Sequence, residues 1–80
     1  MSLRLLFFAQ SSDWVKRRHW DMNLPAPKRI IDLLTEVPDL NPILGKLKSL
    51  RVAVNQEFSD FNCEVKNGDE VAFLPPISGG

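Results

Sequence analysis

Residues 3–8 read Leu-Arg-Leu-Leu-Phe-Phe. Side chains of an extended chain alternate, so Leu3, Leu5 and Phe7 share one face while Arg4, Leu6 and Phe8 share the other. Large apolar groups therefore stand on both sides. A sheet with one wet face does not tolerate this arrangement. The second face is covered either from within the chain or by a partner. The far end of the chain repeats the pattern, with Val71 and Phe73 alternating with Ala72 and Leu74. Pro75 and Pro76 lack the backbone N–H that a ladder needs, so the strand stops there. The remaining tail, residues 75–80, spans about 20 Å when extended. It closes on Gly79-Gly80, a stem without Cβ atoms that can thread a narrow site. The plain alternative is a frayed terminus.

Between these ends the pattern changes period. Residues 10–15 read as a loop, with Ser11, Ser12 and Asp13 as turn formers. Residues 16–24 read as a second strand, with Trp20, Met22 and Leu24 inward and His19 and Asp21 on the polar side. Pro27 fits a first helical turn. Ile30, Ile31, Leu34 and Val37 follow at helical spacing, and Pro38 stops that helix. Asn41-Pro42 opens a second short helix through Ile43, Leu44 and Leu47, weakened by Gly45. Residues 50–55 form a third strand with Leu50, Val52 and Val54 on one face. Asn55-Gln56 turns the chain. Phe58, Phe61, Cys63 and Val65 are apolar positions around a short fourth strand, and Asn67-Gly68 is a hairpin signal leading into the last strand. This order predicts an α+β fold, a mixed sheet with one main helix and a short second helix. Pattern alone also permits a ferredoxin-like arrangement.

Composition narrows the function. Eighty residues, 44% hydrophobic and 25% charged, describe one small globular domain with a modest core. No apolar run approaches the length of a membrane span, and no signal peptide opens the chain. The single cysteine cannot form an internal disulfide, so a cytoplasmic location is expected. Cys63 points inward as a small hydrophobe, and a sulfur-relay role for it is disfavoured. Lys16-Arg17-Arg18 is too isolated for a nucleic-acid patch, and His19 has no second ligand at metal spacing. There is no Ser/His/Asp or Cys/His set and no Gly-rich phosphate loop. Residues 1–51 carry nine Lys/Arg against five Asp/Glu, and residues 52–80 carry one Lys against five Asp/Glu. An acidic C-terminal half suggests a basic docking surface on a partner; a solvated polar face is the equal alternative.

Leu6-Phe7-Phe8-Ala9-Gln10, Ala53-Val54-Asn55 and the run Asn67 to Gly80 ending Pro75-Pro76-Ile77-Ser78-Gly79-Gly80 closely resemble the small subunits of molybdopterin synthase. These are ubiquitin-like sulfur carriers. The resemblance spans the chain but is loose between about residues 11 and 50. Residues 10–15 depart from the family, which often has an Arg-Glu pair and a later Gly there. The resemblance implies a β-grasp (ubiquitin-like) roll in which first and last strands lie side by side at the sheet centre. Leu6, Phe8, Ala72 and Leu74 then share the face away from the helix. Leu6, Phe8 and Leu74 are the implied partner-binding residues, Ser78 and Gly79 line the threading tail, and Gly80 carries the reacting carboxylate.

The implied chemistry needs no side chain of this chain as acid or base. An E1-like adenylyltransferase, using ATP, converts the Gly80 carboxylate to an acyl adenylate. A sulfur nucleophile displaces AMP and leaves a thiocarboxylate. That sulfur passes to cyclic pyranopterin monophosphate on the large subunit of molybdopterin synthase, in a complex of two large and two small subunits. No cofactor, metal, nucleic acid or membrane is expected on this chain. Three alternatives stay open: a sulfur carrier for thiamine biosynthesis, a protein modifier joined to lysine through Gly80, and an interaction module with incidental glycines.

Overall fold

The computed structural model describes residues 1–76. Ten short elements follow one another: β1 (Leu3–Phe7), α1 (Gln10–Val15), β2 (His19–Met22), β3 (Lys28–Arg29), α2 (Ile30–Glu36), a run of 3-10 turns (Pro38–Ser49), β4 (Arg51–Val54), β5 (Glu57–Ser59), β6 (Glu64–Val65) and β7 (Glu70–Leu74). Five strands form one mixed sheet in the order β2-β1-β7-β4-β5, and β3 pairs with β6 in a separate two-stranded ladder. β1 and β7 run parallel, with Leu5 opposite Val71 and Phe7 opposite Phe73. The chain's two end strands thus meet in mid-sheet, and α2 and the 3-10 run cover one face. This is the ubiquitin-like β-grasp, and the ferredoxin-like alternative falls.

The covered face holds the core. Leu3, Leu5, Phe7, Val52, Val71 and Phe73 meet Ile30, Leu33, Leu34, Leu40 and Ile43, all buried. Phe7 and Phe73 stack with ring centroids 5.3 Å apart. That contact joins the two parallel strands where the tail departs.

Helix α2 begins without a side-chain cap. Its first amides find carbonyls elsewhere: Ile30 N–H donates to Cys63 O at 3.0 Å and Ile31 N–H to Phe61 O at 2.8 Å. The 61–63 segment therefore does the work of an N-cap. Asn41 does not open a second helix. Its amide donates to the carbonyls of Leu34 at 2.7 Å, Thr35 at 3.2 Å and Val37 at 3.3 Å, closing the end of α2. The 3-10 run starts earlier, at Pro38, and carries Pro42 inside it.

Three further expectations change. Residues 10–15 are helix α1, not a loop. Pro27 precedes the bridge β3 rather than opening the helix. Asn67-Gly68 is a turn but not a hairpin, because β6 pairs with β3 while β7 pairs with β1 and β4. Gly68 has φ +97°, which a side chain resists. Asn67 instead bonds both backbone groups of Leu24, receiving its N–H at 2.8 Å and donating to its carbonyl at 3.0 Å.

Candidate functional site: the open sheet face and the tail root

Among the described residues no helix lies over the sheet's second face. Strand register sets its layout. Leu6 lies opposite His19 on one side and Ala72 on the other; Ala72 lies opposite Ala53, and Ala53 opposite Phe58. A single row therefore crosses all five strands as His19, Leu6, Ala72, Ala53, Phe58. The two alanines are the floor of a trough, with Leu6 and Phe8 forming one wall and Phe58 the other. Its volume is about 350 Å³, and Gln56, Glu70 and Leu74 complete its lining. Phe8 is 48% exposed and Phe58 69% exposed.

A second groove of about 420 Å³ lies at the tail root, between Ser49, Arg51, Phe58, Leu74, Pro75 and Pro76. Phe58 is the ridge shared by both grooves, and the Arg51 guanidinium lies over its ring at 5.5 Å. Arg51 is also the register partner of Leu74. A contiguous apolar surface of this kind on a small domain is an interface feature.

The geometry just behind the trough is tightly specified. After Phe8 the chain turns at Ala9 with φ 49° and ψ −131°, a conformation glycine favours. Ser11 is fully buried. Its hydroxyl donates to the Phe8 carbonyl at 2.6 Å and sits 3.3 Å from that of Phe73. Phe8 N–H itself donates to the Phe73 carbonyl at 3.2 Å. Helix α1 is thereby tied to the end of both central strands. The β4–β5 turn also takes left-handed geometry, φ 52° at Asn55 and 71° at Gln56.

Charge on this face is sparse: Arg4 and Asp21 pair, whereas Glu70 and Arg51 form no ion pair among the described residues. Arg4 donates to Asp21 at 3.0 Å, and this hydrogen bond holds the Asp21 carboxyl below its usual range. Asp69, at the head of β7, accepts from the Asn55 amide at 3.0 Å and from the Lys66 backbone N–H at 2.9 Å. These bonds, the Asn55 one foremost, lower its pKa. Asn55 returns the favour by accepting the Glu70 N–H at 3.0 Å. The start of β7 is pinned as firmly as its end.

Of the six residues singled out from the sequence, Leu6, Phe8 and Leu74 converge on the trough. Ser78, Gly79 and Gly80 lie outside the described residues. Ala53 and Phe58 were missed as part of the surface. The signal for Ala53 was present: with Leu50, Val52 and Val54 on one face, Ala53 belongs to the other. The sequence marks Phe58 only as an apolar position of a fourth strand, whereas in the fold it stands exposed opposite Ala53. Cys63 is half-buried, packs against the core and lines neither groove. Among the described residues no group of His, Cys, Asp and Glu could hold a metal ion. No described helix is long and apolar enough to cross a membrane.

Residues 5–80 match the family model described as ThiS family. The chain belongs to the ThiS family. Among curated proteins it is 32% identical over 80 residues to the molybdopterin synthase sulfur carrier subunit of Haemophilus influenzae, covering 98% of this chain and 99% of that one. It is 29% identical over 82 residues to the human protein of the same name, covering 98% and 93%. Among solved structures, one chain from a complex of subunits 1 and 2 of molybdopterin-converting factor from Helicobacter pylori superposes with TM-score 0.66 at 22% identity, covering all of both chains. The small archaeal modifier protein 1 of Haloferax volcanii gives TM-score 0.76 at 18% identity, over 95% of this chain and 98% of that one. At such identities these two likenesses establish the fold alone.

Proposed function

We propose that this chain is the sulfur carrier subunit of a molybdopterin synthase. The observation that carries the reading is the joint placement of two features. The family's Pro-Pro-Ile-Ser-Gly-Gly ending leaves from the central strand β7, and an apolar trough lies open beside its point of departure. End-to-end relatives that bear the sulfur carrier name support it.

In this reading the trough seats the large subunit, with Leu6, Phe8 and Leu74 as contacts and Ala53 and Phe58 joining them. Ser78 and Gly79 thread the partner's channel. Gly80 is the reacting residue. Its carboxylate is a poor acyl donor because oxide is a poor leaving group. In an E1-like adenylyltransferase the carboxylate oxygen attacks the α-phosphorus of ATP, pyrophosphate leaves, and the resulting acyl adenylate has AMP as its leaving group. A sulfur nucleophile attacks the acyl carbon, the C–O bond to AMP breaks, and the thiocarboxylate remains. The thiocarboxylate sulfur then attacks cyclic pyranopterin monophosphate on the large subunit, and water cleaves the acyl C–S bond, leaving the sulfur on the pterin and restoring the Gly80 carboxylate. The chain contributes no acid, base, metal or bound cofactor, and it works in the cytoplasm in a complex of two large and two small subunits.

Mass spectrometry of the chain co-expressed with its cognate activating enzyme tests this. The expected product carries one oxygen-for-sulfur exchange at the C-terminus, and deletion of Gly80 abolishes sulfur transfer while the fold is kept. Isopeptide adducts on lysines would favour a protein modifier. Sulfur transfer surviving the deletion would sink the carrier reading.

A further inference from the structure

Lys and Arg residues separate into two classes. Arg4, Arg17, Lys28, Arg29 and Lys66 each form an ion pair. Lys16, Arg18, Lys46, Lys48 and Arg51 form none among the described residues. This second class is not scattered; it gathers at the end of the sheet where β7 gives way to the tail. Arg51 is opposite Leu74 and lines the tail-root groove with Pro75 and Pro76. Ser49 lines that groove too, immediately after Lys48. Lys46 sits 5.6 Å over the ring of Trp14 on α1, the helix that starts beside the end of β1. On the other flank the Arg18 carbonyl accepts the Phe7 N–H at 2.9 Å, and Arg18 shares a cleft with Leu6 and His19. Lys16 shares the neighbouring cleft with Arg17 and Arg18.

Acidic groups at the same end are fewer. Asp13 lines the cleft that holds Lys16 and Arg18, Asp39 is taken up by Arg17 beside them, and Asp60 lines a cleft with Arg51 while accepting the Asn62 N–H at 2.8 Å. Glu57 and Glu70 stand at the opposite end, by the β4–β5 turn and the head of β7. The acidic C-terminal half of the sequence therefore does not produce an acidic tail exit.

We propose that these cations form a collar around the tail root, and that the collar docks on an acidic rim at the mouth of the channel that receives the tail. This rests on the docking reading above and adds to it the sign of the partner's rim. Five exposed cations that form no ion pair among the described residues are available to an incoming surface. Arg51, against Phe58, and Arg18, sharing a cleft with Leu6, border the trough, and the other three extend the charge around the same end of the sheet, so a protein seated on the trough meets the cations at its edge. Charges in that position act on the encounter more than on the finished complex: they orient the approach and raise the association rate, and salt screens them.

The test measures association and dissociation rates of the whole chain with the molybdopterin synthase large subunit of the same organism, by stopped flow at about 20 mM and about 500 mM salt. Two variants are compared with the wild type, Lys46→Glu/Lys48→Glu/Arg51→Glu and the milder Lys46→Gln/Lys48→Gln/Arg51→Gln. The expected result at low salt is an association rate about 10-fold or more slower for the Glu variant and intermediate for the Gln variant, with dissociation little changed. At high salt the three rates converge. Faster association on charge reversal, or a wild-type rate indifferent to salt, overturns the collar while leaving docking through the trough intact. Failure of the wild type to bind at all removes the docking reading, and the collar with it. The Gln variant keeps the test decisive should the Glu variant fold poorly.

Discussion

The same strands present two faces that differ in almost everything except hydrophobicity. On one, Phe73 is 1% exposed and stacked on Phe7 under α2. On the other, Phe58 is 69% exposed and borders a trough floored by Ala53 and Ala72. The inner face uses large residues that fill space, so its apolar groups contribute to folding. The outer face sets bulky walls around small floor residues and leaves the space empty. Its apolar groups add little to the stability of the lone chain and are held for contact with another molecule. Hydrophobic content alone does not distinguish core from interface; the side-chain size at the middle of the row does.

One substitution made on each face breaks or sharpens this contrast. Phe73→Ala should cost about 3–5 kcal/mol of folding free energy, a large part of what an 80-residue domain has, measured by urea denaturation. Phe58→Ala should change stability by no more than about 0.5 kcal/mol. It should nonetheless weaken binding to the large subunit by about 2 kcal/mol, read by calorimetry. Leu74→Glu should likewise block docking while the denaturation midpoint moves little. If Phe58→Ala destabilises the free chain as Phe73→Ala does, the two faces are not different in kind.

Smaller effects probe the supports beneath the trough. Asp69→Asn should lose about 1–2 kcal/mol, since the carboxylate accepts both the Asn55 amide and the Lys66 N–H. The folded-state pKa of Asp69 is depressed, so its contribution is complete above the unfolded value near 4 and disappears as pH falls through the folded one. A stability series from neutral pH into acid should therefore fall less steeply for Asp69→Asn than for the wild type. One further change is expected to be a gain: Ala9→Gly relieves a φ of 49° and should raise stability by about 0.5–1 kcal/mol. An unchanged or lowered midpoint would mean that the turn after Phe8 carries no strain.

Much of this is legible in the sequence. The double-sided apolar pattern of residues 3–8 and 71–74 is explained by adjacent central strands, and Leu6, Phe8 and Leu74 do share a surface. Helix α2 was visible from Ile30, Ile31 and Leu34, and the Asn55-Gln56 turn from its residue types. The rest depends on which groups meet in the fold, which residue type does not reveal. Ser11 and Ser12 are ordinary loop residues by composition. Ser11 becomes buried in a helix because its hydroxyl reaches the carbonyls of Phe8 and, 62 residues on, of Phe73. Asn41 has the composition of a helix start, yet it serves the end of the preceding helix. Asn67-Gly68 has the local chemistry of a hairpin, but which strands pair around a turn is decided by the sheet order. Phe58 is legible only as an apolar position of a fourth strand, because apolar character does not reveal which face of an edge strand looks outward.

The parallel pairing of β1 with β7 has a mechanical consequence. β7 is gripped along its length by a neighbour on either side, and its far end is held by Asp69 and Asn55. A pull applied at Pro75 runs along the strand, loading its crosslinks together in shear rather than opening them one after another like a zip. A partner can therefore draw on the end of this protein, and let go of it again, without unravelling the body to which it is attached.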